Sequence, residues 1–350
     1  MNILIVKLSS IGDVIQTYRA FSQIRFCYPQ AKISWVVEEK FLDAVSHLKG
    51  VDEVIPIPFK EFKQGAYRRL IKKLAEMRKR QFDIVFDFQG NFKSAIVTFL
   101  VTAKVKIGFD REGVAEWPNL FVTNQKVRAP KSLPPPERNL LIVDTLTNGK
   151  RGAIPPIKLL LEREKRDAVE EFTAQFFSGF IMLCPFSVWD QKTLNTQQWI
   201  EWIQKIRFDW AFHVVIPYFS TKEEIIAREI EERFSHVHLW KISSLSAWQY
   251  LMSLSKLVIA IDSASLHLAG VADIPTFSIF GPTLDVVYRP MGEKHSSYQA
   301  GCPLGKKFTQ KCTLLRTCSA PCLKKTPIDL IHRKFNQHMH LVLEKDLVHM

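Results

Sequence analysis

The chain has 350 residues, 47% of them hydrophobic, long enough to bury two α/β cores. No window approaches the roughly 18 apolar residues of a membrane-spanning helix, and no secretory leader pattern opens the chain, so the cytoplasm is the expected compartment. Lys and Arg number 48 against 35 Asp and Glu, a net charge of +13; this favours anionic partners, but no recognition motif points to nucleic acid.

The first apolar run, Ile3 to Val6, is strand-sized and leads into Ser9-Ser10-Ile11-Gly12. Helical spacing follows through Val14, Tyr18 and Phe21, which predicts a strand–turn–helix unit. Gly12 suits a tight turn or close approach to a ligand, and Asp13 stands where the helix would begin. A carboxylate there is either an N-cap or a group aimed into the crevice at the carboxyl end of a parallel strand.

Further strands are predicted at Lys32–Val37, Val54–Ile57 and Phe82–Asp87. Between the last two, residues 60–80 hold nine Lys and Arg against Glu61 and Glu76, with Leu70, Ile71, Leu74 and Met77 at helical spacing. This reads as an amphipathic basic helix, suited to an anionic membrane face or a phosphorylated acceptor, or else a solvated face. Phe88-Gln89-Gly90-Asn91 leads into a helix at Lys93–Leu100. The Pro-rich run Arg128–Pro136 reads as loop, and Glu137–Thr145 as a helix ended by Asn148-Gly149.

Residues 150–156 are rich in Gly, Pro and basic residues and mark the interdomain connection. A second alternating series follows, with strands at Phe180–Cys184, His213–Ile216, Leu257–Ile261 and Thr276–Phe280 and a helix at Thr196–Ile206. Alternation of this kind implies parallel sheets with right-handed crossovers. The tail carries start signals for a helix, with Thr326 as N-cap and Pro327 in the first turn, and then an apolar stripe of Ile331, Phe335, Met339 and Val342. Its histidines, among them His332, His338 and His349, lack an i, i+4 ligand pair and are read as solvated.

Neither GxxxxGK[ST] nor GxGxxG is present, which removes the main support for an NTPase or an ordinary NAD enzyme; GxSxG and HExxH are absent too. The strongest signal is Asp262-Ser263-Ala264-Ser265-Leu266-His267, at the end of a strand and entering a helix. Small and hydroxylated residues there present backbone amides and hydroxyls to phosphate. Phe280-Gly281-Pro282-Thr283 closes the neighbouring strand with a second tight turn. Lys192 and Ser187 follow the strand ending at Cys184, where a cation meets a diphosphate. Taken singly, each of these residues also reads as a cap, a packed side chain or a surface lysine.

Of six cysteines, Cys27 and Cys184 sit in apolar contexts and read as core. Cys302, Cys312, Cys318 and Cys322 form Cys-x9-Cys-x5-Cys-x3-Cys, which leaves three readings open: a structural zinc site, an incidental reduced cluster, or a redox pair.

With these residues together, the chain resembles the ADP-heptose:lipopolysaccharide heptosyltransferases, glycosyltransferase family 9, over nearly its whole length. The likeness rests on Ile-Val-Lys-x-Ser-Ser-x-Gly-Asp at residues 5–13, Trp35-Val36-Val37-Glu38-Glu39 and Asp87-Phe88-Gln89-Gly90-Asn91-Phe92-Lys93-Ser94. It continues through Lys192, Asp262 to His267 and Phe280 to Thr283. The resemblance implies a GT-B fold: α/β, two Rossmann-like doubly wound domains facing a cleft, with a C-terminal helix. It implies an acceptor domain at residues 1–160, a nucleotide-sugar domain at 161–325, and a helix at 326–350 packing on a domain.

The resemblance also implies inverting, metal-independent transfer of heptose from ADP-heptose to an inner-core lipopolysaccharide acceptor by an enzyme peripheral on the inner membrane. Asp13 is then the general base, and Lys192 with Ser187 meets the diphosphate. Asp262, Ser263, Ala264 and His267 hold the donor, and Glu223 matches an acidic position that holds the ribose. Ser10, Gly12, Gln89 and Gly90 belong to the acceptor-side loops. No cofactor is required, and the only metal in view is the zinc alternative at the cysteines. The chain departs from the family pattern at Gln16 for His, Arg19 for Pro, Thr193-Leu194-Asn195 after Lys192 in place of x-Trp-Pro, and Ala264 for Gly. The same fold with another nucleotide sugar, and a non-catalytic nucleotide-sugar-binding protein, are the alternatives.

Overall fold

A computed structural model describes residues 1–59, 67–315 and 317–348, and for 345–348 the backbone alone. The first part of the expected basic helix (residues 60–66) and His349 therefore lie outside the described residues. The chain divides into two compact units, Met1–Leu160 and Leu161–Met350.

The first unit is built on six parallel strands: β1 (Asn2–Val6), β2 (Lys32–Glu38), β3 (Glu53–Ile57), β4 (Gln81–Asp87), β5 (Thr102–Phe109) and β6 (Gln125–Val127). Their order is β3-β2-β1-β4-β5-β6, and β1 lies between β2 and β4, with Ile5 opposite Trp35 on one side and Phe86 on the other. Its helices are α1 (Ile11–Gln16), α2 (Tyr18–Cys27), α3 (Tyr67–Arg78), α4 (Phe92–Leu100) and α5 (Pro135–Thr147). Leu4, Val36 and Val85 on the sheet bury against Leu70 and Met77 of α3 and Val97 of α4, with Leu74 partly buried beside them; Ile71, the fourth residue of the expected stripe, is instead 58% exposed.

The second unit repeats the plan with β7 (Phe180–Cys184), β8 (His213–Tyr218), β9 (Val237–Lys241), β10 (Val258–Ile261), β11 (Thr276–Phe280) and β12 (His295–Gln299), in the order β12-β11-β10-β7-β8-β9. Its helices are α6 (Arg163–Thr173), α7 (Thr196–Trp210), α8 (Thr221–Glu231), α9 (Leu245–Leu254), α10 (Ala264–Val271) and α11 (Ile328–Val348). Numbered within its own unit, each sheet runs 3-2-1-4-5-6, the mononucleotide-binding order. The order reverses between β1 and β4 in one unit and between β7 and β10 in the other. Ligands bind at the carboxyl ends of strands at such points.

Side-chain caps set several helix starts. Asn91 accepts from the Ser94 amide at 3.0 Å while Ser94 Oγ accepts from the Asn91 amide at 3.1 Å, opening α4. Asn195 and Gln198 do the same for α7. Helix α5 begins at Pro135, inside the run read as loop, because Pro fits the first helical positions. Asn148 and Gly149, both at positive φ (50° and 71°), end it.

Helix α11 starts at Ile328. Thr326 does not cap it: its hydroxyl donates to the Cys322 carbonyl at 2.9 Å and closes the turn before. Phe335 of this helix packs edge-on against Trp202 and Phe277, with centroids 5.7 and 5.5 Å apart. The helix histidines are not all solvated: His338 is buried, and His332 pairs with Asp209 at 2.8 Å. Cys184 is buried as expected, whereas Cys27 is only half-buried.

Candidate functional site

In the first unit the switch point gathers the loops after β1 and β4. The side-chain oxygen of Gln89 accepts from the amides of Leu8 and Ser9, each at 3.1 Å, and so pins the β1–α1 loop to the β4–α4 turn. That turn is in turn locked by Asp87, which is fully buried. One carboxylate oxygen takes the amides of Gln89 and Gly90 at 3.0 and 2.9 Å; the other takes Thr98 Oγ1 and Asn119 Nδ2 at 2.9 and 2.6 Å. Gly90 adopts φ +67°, and a Cβ there would lie 3.1 Å from the Phe109 ring, so the turn needs glycine.

On this scaffold Ser10 is the N-cap of α1 and Asp13 its third residue. Asp13 Oδ2 accepts from both the amide and the hydroxyl of Ser10 at 2.9 Å. The N-cap is thus Ser10 rather than Asp13, which closes the capping box from the third position; one oxygen is engaged there, and the side chain is half-buried rather than closed off. Gly12 lies within the first turn of α1 and not in the turn preceding it, because Ser10 with Asp13 makes the better start.

Lys7 also belongs to this setting, although the pattern does not single it out. Lying just beyond β1, it is 8% exposed, and its Nζ donates to the Phe88 carbonyl at 3.0 Å. Burial pulls its ammonium below the ordinary lysine range; Asp13 and Asp87 oppose that fall and Arg138 adds to it. The Asp13 carboxylate thus has a buried cation among its electrostatic neighbours. The signal was in the sequence, as a lysine at the end of an apolar strand, but a lone Lys there also reads as the first solvated residue of a loop.

In the second unit the switch point between β7 and β10 centres on Asp262, 6% exposed at the end of β10. Its Oδ2 takes Lys192 Nζ at 2.5 Å and Thr283 Oγ1 at 2.7 Å, and His267 Nε2 lies 3.8 Å from Oδ1. Burial alone would raise the Asp262 carboxyl, but Lys192, His267 and the Thr283 hydroxyl outweigh it and hold the group below the ordinary carboxylate range. Ser263 is the N-cap of α10, its Oγ 2.6 Å from Ser265 Oγ, and Ala264 is the first helical residue. Lys192, Asp262, Ser263, Ala264 and His267 are therefore brought together.

Ser187 and Glu223 make local hydrogen bonds in neighbouring loops. Ser187 Oγ accepts from the Trp189 amide at 3.2 Å within the β7 loop. Glu223 lies after β8 and opens α8, its Oε2 taking the amides of Phe219 and Ser220 at 2.7 and 3.1 Å. Asn195, where the family pattern has Pro, serves as the N-cap of α7.

The zinc reading of the cysteines is not supported by their arrangement. Among the described residues no group of three or more His, Cys, Asp and Glu is set to hold a metal ion. The four cysteines do line one pocket with Gln191 and Pro282, where Cys322 has Cys302 and Cys318 among its neighbours. Cys302 is held below the usual thiol range by the amides of Lys306 and Leu304, with Cys322 beside it. Burial pushes Cys322 up to about 11. The thiolate is the nucleophile, so limiting iodoacetamide at pH 8 is expected to label Cys302 several-fold faster than Cys322. Peptide mass spectrometry reads this, and preferential labelling of Cys322 would refute it.

Residues 67–317 match the family described as glycosyltransferase family 9 (heptosyltransferase). Lipopolysaccharide heptosyltransferase 1 of Escherichia coli K12 is 27% identical over 292 residues, 81% of this chain and 88% of that protein. Among solved structures, E. coli heptosyltransferase WaaC with ADP superposes with a TM-score of 0.76 at 22% identity, covering 97% of this chain and all of that one. The same enzyme with ADP-2-deoxy-2-fluoro heptose gives 0.70 at 24% identity, over 90% of this chain and 96% of that one. The fold is accordingly of the GT-B class, with two doubly wound parallel sheets.

Proposed function

The chain belongs to glycosyltransferase family 9, the heptosyltransferases, and on that premise we propose that it transfers heptose from ADP-heptose to the inner core of a lipopolysaccharide acceptor, with inversion. The observation that carries the reading is the Lys192–Asp262–Thr283 cluster at a strand-order switch point. A lysine held by a buried carboxylate beside a helix N-terminus and two serine hydroxyls suits a diphosphate. The ADP and ADP-2-deoxy-2-fluoro heptose bound by the solved relatives are in keeping with it.

In this mechanism the acceptor hydroxyl attacks the anomeric carbon while Asp13 takes its proton. The bond from that carbon to the diphosphate breaks, and ADP leaves with the electron pair. Lys192, the Ser263 and Ser265 hydroxyls and the amides opening α10 meet the developing charge. A diphosphate leaves without being protonated, so one carboxylate suffices and no metal is required. Ser187 contacts the phosphates, Glu223 the ribose, and Ser10, Gly12, Gln89 and Gly90 shape the acceptor side. Residues 1–160 bind the acceptor and 161–325 the donor.

Among the described residues no helix is long and apolar enough to cross a membrane. Arg68, Lys72 and Arg78 are exposed on α3 and Lys79 just after it, and this basic face would hold the enzyme to the anionic cytoplasmic leaflet.

The test is incubation of the purified full chain with ADP-heptose and a heptose-free core acceptor. The expected product gains the mass of one heptose and releases ADP. Tight ADP-heptose binding without transfer would instead support a non-catalytic binding protein, a reading favoured by Ala264 in place of glycine. A thermal shift larger with UDP than with ADP would point to another nucleotide sugar.

A further inference from the structure

Four large aromatic side chains of the first unit are exposed close together. Phe92 and Phe99 lie two turns apart on α4, and Phe99 is 71% exposed. The turn Trp117–Phe121 packs against the same helix, and the Phe92 amide donates to Glu116 Oε2 at 2.8 Å. Trp117 and Phe121, 70% and 79% exposed, meet edge to face with centroids 5.8 Å apart. Packing inside the unit does not account for them, because the core-facing side of α4 is made by Ala95, Val97 and Thr98. Single exposed aromatics are ordinary; a group of four is not.

Cations border the group. Lys106 Nζ donates to the Thr98 carbonyl beside Phe99 at 2.7 Å, and Lys126 Nζ to the Thr123 carbonyl beyond Phe121 at 3.0 Å. Lys104 is exposed on β5, two residues before Lys106, and its carbonyl accepts from Asn124. The nearby acids are engaged: Glu116 accepts the Phe92 amide, and Glu112 pairs with Arg128. Asp110 accepts the amides of Glu112 and Gly113.

We infer that Trp117, Phe121 and Phe99 insert into the interfacial layer of an anionic lipid bilayer, with Lys104 and Lys126 against its headgroups. Trp and Phe favour that layer, where an apolar ring body meets a wet, charged rim. The group also lies at the end of the sheet that matters. The Gly90 carbonyl accepts from the amides of Ala115 and Glu116, which ties this segment to the turn at the carboxyl end of β4. A lipid-anchored acceptor would then meet the enzyme at the surface where its own lipid is embedded.

This inference extends the membrane reading made from α3, and the test separates the two. Flotation of the full chain with neutral phosphatidylcholine vesicles, and with vesicles containing phosphatidylglycerol, needs neither donor nor acceptor. The wild type is expected to float with the anionic vesicles, and Trp117→Ser/Phe121→Ser to lose about tenfold in partitioning with an unchanged melting temperature. Arg68→Glu/Lys72→Glu reports on the basic helix alone. Loss there, with the aromatic variant still floating like wild type, would overturn the insertion and leave the α3 reading standing. A dimeric wild type that becomes monomeric in the aromatic variant by light scattering would assign the patch to a second copy and also overturn it. Quenching of tryptophan emission by brominated lipid in wild type, diminished in Trp117→Ser, is the confirming signature.

Discussion

Asp13→Asn is expected to lower kcat for heptose transfer by about 10²–10⁴-fold, the range contributed by a positioned general base, with little change in melting temperature. The contrast comes from the double duty of this carboxylate. Its Oδ2 accepts from the Ser10 amide and hydroxyl, and the Asn amide oxygen can take over that acceptor role and keep α1 capped. An amide does not accept the acceptor's proton at neutral pH. Asp13→Ala removes both functions, so it should lose activity to the same degree and also cost about 1 kcal/mol in the cap. The measurement is steady-state transfer beside thermal unfolding for the two variants. An active Asp13→Asn enzyme would reduce the residue to its capping role.

Lys7 bears on how strongly that base is held. Its buried ammonium has Asp13 and Asp87 among its electrostatic neighbours, which oppose the lowering that burial imposes. The loop after β1 therefore couples the base to the core: Lys7 reaches the Phe88 carbonyl, while Gln89 reaches back to the amides of Leu8 and Ser9. Asp13 is consequently placed by the sheet as well as by its helix.

Sequence pattern reached the central strands and the residues at their carboxyl ends, for a physical reason. Strands β1, β4, β7, β10 and β11 are covered on both faces, so they are written as short apolar runs, and their ends locate Asp13, Gln89, Lys192 and Asp262. Several strands further out carry no such run, although the edge strand β3 does. Strand β5 places Lys104 and Lys106 along its length, β6 has only Gln125–Val127, and β12 reads His-Ser-Ser-Tyr-Gln. Helix α6 buries only Val169, too little to set a periodicity. Pairing across long separations was also out of reach: Thr283 and Lys192 meet on Asp262, and Asp87 meets Asn119. Nothing local in the chain announces these contacts. The cysteines illustrate the converse: all four do line one pocket, yet among the described residues no group set to hold a metal results.

Asp262→Ala is expected to produce the largest loss of stability. Lys192 has a side chain only 15% exposed and Asp262 one of 7%, so removing the carboxylate leaves a largely buried ammonium and the Thr283 hydroxyl without their acceptor. Breaking a buried pair in this way costs about 3–5 kcal/mol, roughly 6–20 °C in melting temperature for a unit of this size. Transfer should fall too, by about 10²–10³-fold, as Lys192 loses the group that aims it at the leaving phosphate. The pH dependence has a definite sign. The folded-state carboxyl is held below its unfolded value, so its contribution is present at neutral pH and fades as pH falls through the folded-state pKa. The stability gap between wild type and Asp262→Ala should therefore narrow on acidification below about pH 4. Removing both charges, in Lys192→Met/Asp262→Ala, separates the two roles: the orphaned cation is gone, so stability should partly recover, while transfer stays low because no cation meets the departing diphosphate. A double variant as unstable as Asp262→Ala alone would mean that the carboxylate matters through Thr283 and the β11 turn rather than through Lys192. Recovery of transfer along with stability would remove Lys192 from the reaction.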